Sequence, residues 1–92
     1  MEDETRKIWI LVSYVKRSKN RQKLVKELAV KPNFPSELVK NLQISFSIVS
    51  KNLRSLQNKN IVICFTPNEK KGRLYSLSDI GRDIVNLLNE KG

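Results

Sequence analysis

The chain has 92 residues, with 18 Lys and Arg against 9 Asp and Glu, no His and one Cys. That length carries one domain with one modest core, and the missing His and lone Cys64 exclude a Cys/His metal cluster, an intramolecular disulfide and His-based acid–base chemistry. The formal net charge of +9 points to an anionic partner, nucleic acid first.

The first segment, Thr5 to Lys16, carries Ile8, Leu11, Val12 and Val15 at helical spacing. Asp3 and Glu4 ahead of it suit the positive end of a helix dipole. The alternation of Ile8, Ile10, Val12 and Tyr14 also suits a strand; the helix is preferred. The apolar run Ile8 to Val12 is far short of a membrane span and no signal peptide is read before it, so a cytoplasmic, nucleoid-associated protein is expected.

Ser18 is a cap for a second helix from Lys19 to about Val30, with Leu24, Val25, Leu28 and Ala29 inward. Lys31-Pro32-Asn33-Phe34-Pro35 breaks it and holds an extended connection. A short helix from Pro35 to Leu42 buries Leu38, Val39 and Leu42. After a tight turn at Gln43 and Ile44, Ser45 opens a longer helix to Asn58 or Lys59, with Val49, Leu53 and Leu56 on the buried stripe.

Asn60 suits a left-handed C-terminal cap. Ile61 to Phe65 and Leu74 to Leu77 read as two strands of a hairpin, with the polar tip Pro67 to Gly72 between them. Ser78 caps a closing helix, Asp79 to about Lys91, with Ile80, Ile84, Val85, Leu87 and Leu88 on its apolar face. The fold class is therefore mainly α with a small β-hairpin (α+β), a single domain over residues 1–92.

A short helix, a tight turn and a longer polar-faced helix make a helix-turn-helix, whose second helix meets base edges in the major groove. With Val49, Leu53 and Leu56 inward, Ser45, Ser47, Ile48, Ser50, Lys51 and Arg54 remain for DNA. The hydroxyls suit bases or phosphates, Ile48 suits a thymine methyl, Lys51 suits guanine acceptors and Arg54 a phosphate. Lys70, Lys71 and Arg73 on the hairpin tip suit the backbone or minor groove. Between Thr5 and Arg73 only Glu27, Glu37 and Glu69 oppose 16 of the basic residues, so the positive charge lies ahead of the closing helix. A solvated lysine-rich surface is the alternative source of that charge.

Pro35-Ser36-Glu37-Leu38, Ile44-Ser45, Val49-Ser50-Lys51, Leu53, Leu56 and Leu74-Tyr75-Ser76-Leu77-Ser78 with Gly81 resemble winged-helix regulators of the ArsR/MarR type, particularly small archaeal members. The likeness covers about Ser18 to Leu88. It implies that Ser45 to Asn58 is the recognition helix, that Lys70, Lys71 and Arg73 form the wing, and that Ser36 and Ser45 contact phosphate at helix N-termini. Three positions depart from the pattern. Phe34 replaces a capping Thr, leaving Asn33 as the alternative cap; Gln43 and Asn60 replace glycines. Metal-responsive members use Cys or His clusters, so no metal or cofactor is expected, and Cys64 reads as a small core residue or, less readily, an intermolecular redox partner.

The terminal segments, 1–17 and 79–91, hold more apolar surface than one small domain needs, so Ile8, Trp9, Val12, Leu87 and Leu88 are expected at the interface of a homodimer. Double-stranded DNA is the expected partner and no enzymatic activity is expected, because nothing supplies a nucleophile–base pair. The competing readings are a non-specific architectural DNA- or RNA-binding winged helix and a protein-interaction module.

Overall fold

The computed structural model describes the backbone of residues 2–91 and the side chains of residues 5–90. Its elements run α1 (Glu2–Lys16), α2 (Lys19–Val30), α3 (Pro35–Leu42), α4 (Phe46–Asn58), β1 (Val62–Cys64), β2 (Tyr75–Leu77) and α5 (Asp79–Lys91). The first segment is thus a helix, as preferred.

Helix α2 is the central element. Its Leu24, Val25 and Leu28 are fully buried, and it packs against α1, α3, α4, α5 and β2. Its start is fixed by the Ser18 hydroxyl, which accepts the Arg21 backbone N–H at 3.2 Å. Two α2 side chains then satisfy carbonyls left over at the end of α1: Arg21 Nη1 donates to Tyr14 O (2.8 Å) and Gln22 Nε2 to Lys16 O (3.0 Å). The Arg21 guanidinium lies 3.8 Å from the centre of the Tyr14 ring, and the Tyr14 hydroxyl hydrogen-bonds Ser55 on α4.

The turn between α3 and α4 is three residues long. Gln43 takes the left-handed conformation (φ 55°, ψ 46°) that glycine adopts without strain. Ile44 is then buried, and the Ser45 hydroxyl accepts the Ile48 N–H at 3.3 Å to start α4. Helix α3 has no side-chain cap at Phe34. Asn33 does not take that place: it is buried, and its backbone N–H and C=O both bond Tyr75 at 2.9 Å, bridging to β2.

Helix α4 buries Val49, Leu53 and Leu56 as expected and ends in a Schellman motif. Asn60 has φ 62°; its N–H bonds Gln57 O and that of Ile61 bonds Leu56 O, both at 3.0 Å. β1 and β2 are antiparallel, pairing Val62 with Leu77, Ile63 with Ser76 and Cys64 with Tyr75. Each strand is shorter than the sequence suggested: Ile61 is drawn into the helix cap, and beyond Cys64 the two arms are joined by the Phe65 N–H to Leu74 O bond at 2.8 Å outside the regular ladder. Cys64 is half-buried at the edge of the core.

The Ser78 N–H bonds Ile61 O at 3.0 Å, and its hydroxyl donates to Asn60 O (2.6 Å) and accepts the Gly81 N–H (3.0 Å), which caps α5. Gly81 sits so close to the Ile61 carbonyl that any Cβ there would collide with it. The buried stripe of α5 is centred on Gly81, Ile84, Val85 and Leu88. Ile80, expected on that face, lies at its margin and is 43% exposed. Val12 and Leu88 were expected between copies; they are buried instead within the single chain, where α1 and α5 pack together. Ile8 and Leu87 are half-buried and Trp9 is 41% exposed.

Two substitutions test this frame by urea unfolding. Gly81→Ala should lose about 1–3 kcal/mol, since an inserted methyl has no space against the Ile61 carbonyl. Gln43→Gly should gain ~0.5–1 kcal/mol, the relief of the left-handed backbone less glycine's greater unfolded-state entropy.

Candidate nucleic-acid interface

The helix caps that build the fold also decide which side chains remain outside. Once Val49, Leu53 and Leu56 face α2 and the core, Ser47, Ile48, Lys51 and Arg54 are exposed on α4 and Ser50 is half-buried. Ser45, at the N-terminus, is exposed but partly engaged: its hydroxyl caps the helix and lies 3.4 Å from that of Ser47. Asn52 is also engaged, because its Nδ2 donates to Ile48 O at 2.8 Å. That bond takes one of the two hydrogens of the amide; the second hydrogen and Oδ1 remain for other partners.

The hairpin tip holds its shape through Thr66. The Thr66 hydroxyl accepts the Leu74 N–H at 2.9 Å and donates to Gly72 O at 3.3 Å, tying one side of the loop to the other. Gly72 itself has φ 68°. Arg73 Nε donates to Glu69 O at 2.7 Å, which fixes the base of its guanidinium on the loop. Lys70 and Lys71 extend from the same tip and are exposed.

The tip and α4 face each other across an open cleft of about 450 Å³. Ser50, Arg54 and Gln57 line it from α4, Ser36 and Pro35 from the start of α3, and Lys70, Lys71 and Arg73 from the hairpin. No acidic residue lines it among the described residues. Four cations from two elements therefore surround one groove, where their potentials add over distances comparable with a Debye length of about 8 Å. Ser45, Ser47, Ile48 and Lys51 lie outside the cleft lining, on the leading end and neighbouring face of the same helix.

The sequence reading missed the aromatic part of this surface. Phe34, Phe46 and Tyr75 line the same cleft. A signal for Phe46 was present, since it precedes Ser50 and Arg54 at successive four-residue steps and therefore shares their face. Phe34 and Tyr75 carried no such signal; the Asn33–Tyr75 bridge that sets them beside the cleft joins distant parts of the chain.

The architecture has close counterparts. HlyU from Vibrio cholerae N16961 superposes with a TM-score of 0.79 at 23% identity, covering 99% of this chain and 97% of that one. A structure described as a putative transcriptional regulator of the MarR family from Enterococcus faecalis V583 gives 0.76 at 23% identity, over 88% and 76% of the two chains. Lactococcus lactis ZitR, as a C30AH42A mutant, gives 0.71 at 19% identity; 79% of this chain is covered, but it spans only about half (51%) of that chain. No curated protein sequence shows significant similarity. Residues 18–63, half of the chain, match the family model described as "Bacterial regulatory protein, arsR family". That segment runs from the cap of α2 through the helix-turn-helix into β1. The chain has a winged helix-turn-helix fold and belongs to the arsR family of bacterial regulatory proteins, DNA-binding transcriptional regulators.

Proposed function

We propose that α4 enters the major groove with Ser45, Ser47, Ile48, Ser50, Lys51 and Arg54 toward the DNA, while Lys70, Lys71 and Arg73 hold the adjacent backbone or minor groove. Lys51 reaches guanine acceptors, Ile48 packs on a thymine methyl, and Arg54 and Ser36 take phosphates. The observation that carries this reading is the cleft, which gathers Ser36, Ser50, Arg54, Lys70, Lys71 and Arg73 around one groove with no acid on its lining among the described residues. A strand of the duplex between the two grooves is what a positively charged cleft of that form accommodates.

The whole of residues 1–92 acts as one such domain, and two copies pair through α1 and α5. A single unit reads few base pairs, whereas a dimer reads two half-sites about 34 Å apart. Trp9 and Ile10, 41% and 60% exposed, with the half-buried Ile8 and Leu87, leave apolar surface on the helices remote in sequence from the helix-turn-helix. A regulator of this kind works in the cytoplasm on the nucleoid.

Equilibrium binding to selected and random duplexes at two salt concentrations tests the assignment. Lys51→Ala should weaken the selected complex by about 1–3 kcal/mol and relax the preference at one base pair. The triple substitution Lys70→Ala, Lys71→Ala and Arg73→Ala should weaken binding to every duplex and reduce the slope of log K against log salt by about 2–3. An unchanged slope would remove the hairpin tip from the interface, and equal affinity for selected and random duplexes would make this a binder of charge and shape only. Sedimentation velocity over a wide concentration range should show a dimer that Trp9→Glu dissociates; a monomer at the highest concentration would sink the pairing.

A further inference from the structure

Phe46 is the first residue of α4, and it is 59% exposed. Its position explains the exposure: Ser45 caps the helix just ahead of it, and the buried stripe begins only at Val49. The ring lines the cleft together with Ser50 and Arg54, one and two turns further along the same face. It shares the cleft with Phe34 and Tyr75 as well as with Arg54 and the hairpin cations, and Ser45 and Ser47 flank it in sequence. None of the polar or charged roles assigned to this surface uses it.

The cations fix what approaches this ring. A duplex drawn into the cleft presents major-groove base edges to the leading end of α4. Those edges consist of hydrogen-bond donors and acceptors, except for the C5 methyl of thymine. A donor or acceptor set against the phenyl ring gives up water and gains no partner, which disfavours it. Cytosine places its N4 amine in the groove and has only hydrogen at C5, so it offers the ring nothing.

We infer that Phe46 is a specificity-determining residue that reads the C5 methyl group of thymine at one position of the binding site, an inference that rests on α4 being the recognition helix. The ring adds a second apolar contact, beside that of Ile48, to a site otherwise read by hydroxyls and one lysine. It separates thymine from cytosine by the absence of a polar contact, and thymine from uracil by a single methyl group.

The test replaces each thymine of a library-selected duplex, one at a time, with deoxyuridine, which removes only that methyl. At one position, distinct from any whose sensitivity Ile48→Ala removes, the wild-type protein should bind about fourfold more weakly, the loss expected for one buried methyl-sized group. Phe46→Leu should keep that penalty, Phe46→Gln should abolish it, and Ile48→Ala and Lys51→Ala should leave it in place. Because the residue is exposed, all variants should retain wild-type circular dichroism and melting behaviour. The inference is overturned if no deoxyuridine substitution weakens binding, or if the penalty persists undiminished in Phe46→Gln. A wild-type protein that does not prefer the selected duplex over a random one overturns the recognition-helix assignment itself, and this inference with it.

Discussion

One backbone carbonyl, that of Ile61, holds the molecule's two functional arms to its body. Helix α4 ends at Asn58 and its Schellman turn closes at the left-handed Asn60, one residue before Ile61, while β1 begins one residue after it. The Ser78 N–H and hydroxyl both reach this carbonyl, at 3.0 Å, and Gly81 lies directly against it. The end of α4, the start of the hairpin and the first turn of the closing helix therefore meet at a single point. A buried carbonyl must find donors, so this junction specifies one arrangement of the three elements rather than a range of them. The sequence satisfies it with two small residues, a hydroxyl to bond and a glycine to leave room.

The helix-turn-helix was legible because its signals are local. Ser18 and Ser45 mark starts, Pro35 sits where its missing N–H is harmless, and Val49, Leu53 and Leu56 repeat at helical spacing. Even the strain at Gln43 follows from the turn needing a left-handed residue where no glycine was available. What could not be read depends on contacts between distant residues. Asn33 is a plausible cap in isolation, yet its backbone is committed to Tyr75. Val12 and Leu88 have the residue types of an interface, but the mutual packing of α1 and α5 covers them. Ile80 shows the converse, an apolar residue placed at the margin of a stripe that Gly81 shifts toward the strands. The polar half of the candidate interface was accessible from helical arithmetic and the charge of one loop; its aromatic half was mostly set by the tertiary bridge.

The cleft combines two physically different kinds of side chain. Lys70 and Lys71 are flexible point charges, whereas Arg73 is anchored at its Nε by Glu69 O. Behind α4, Tyr14 joins Ser55 to the Arg21 guanidinium, and the Lys59 ammonium lies 5.4 Å from the same ring. The rear of α4 is thus tied to α1 and α2 while its front stays exposed. Orientation comes from the polar link and the apolar stripe together, so the exposed side chains project from a fixed axis.

The paired hydrogen bonds between Asn33 and Tyr75 set the span of the cleft. They join the segment leading into α3 to the strand that carries the hairpin tip, with both bonds at 2.9 Å. The two jaws are therefore parts of one frame, like the arms of a fixed caliper. A duplex whose grooves are narrower or wider than that opening must deform to be held, at an energy cost that depends on its stiffness. In the proposed complex, the width and pliancy of the DNA would then count at steps where no side chain reaches a base, and the backbone of a buried asparagine would take part in choosing the sequence.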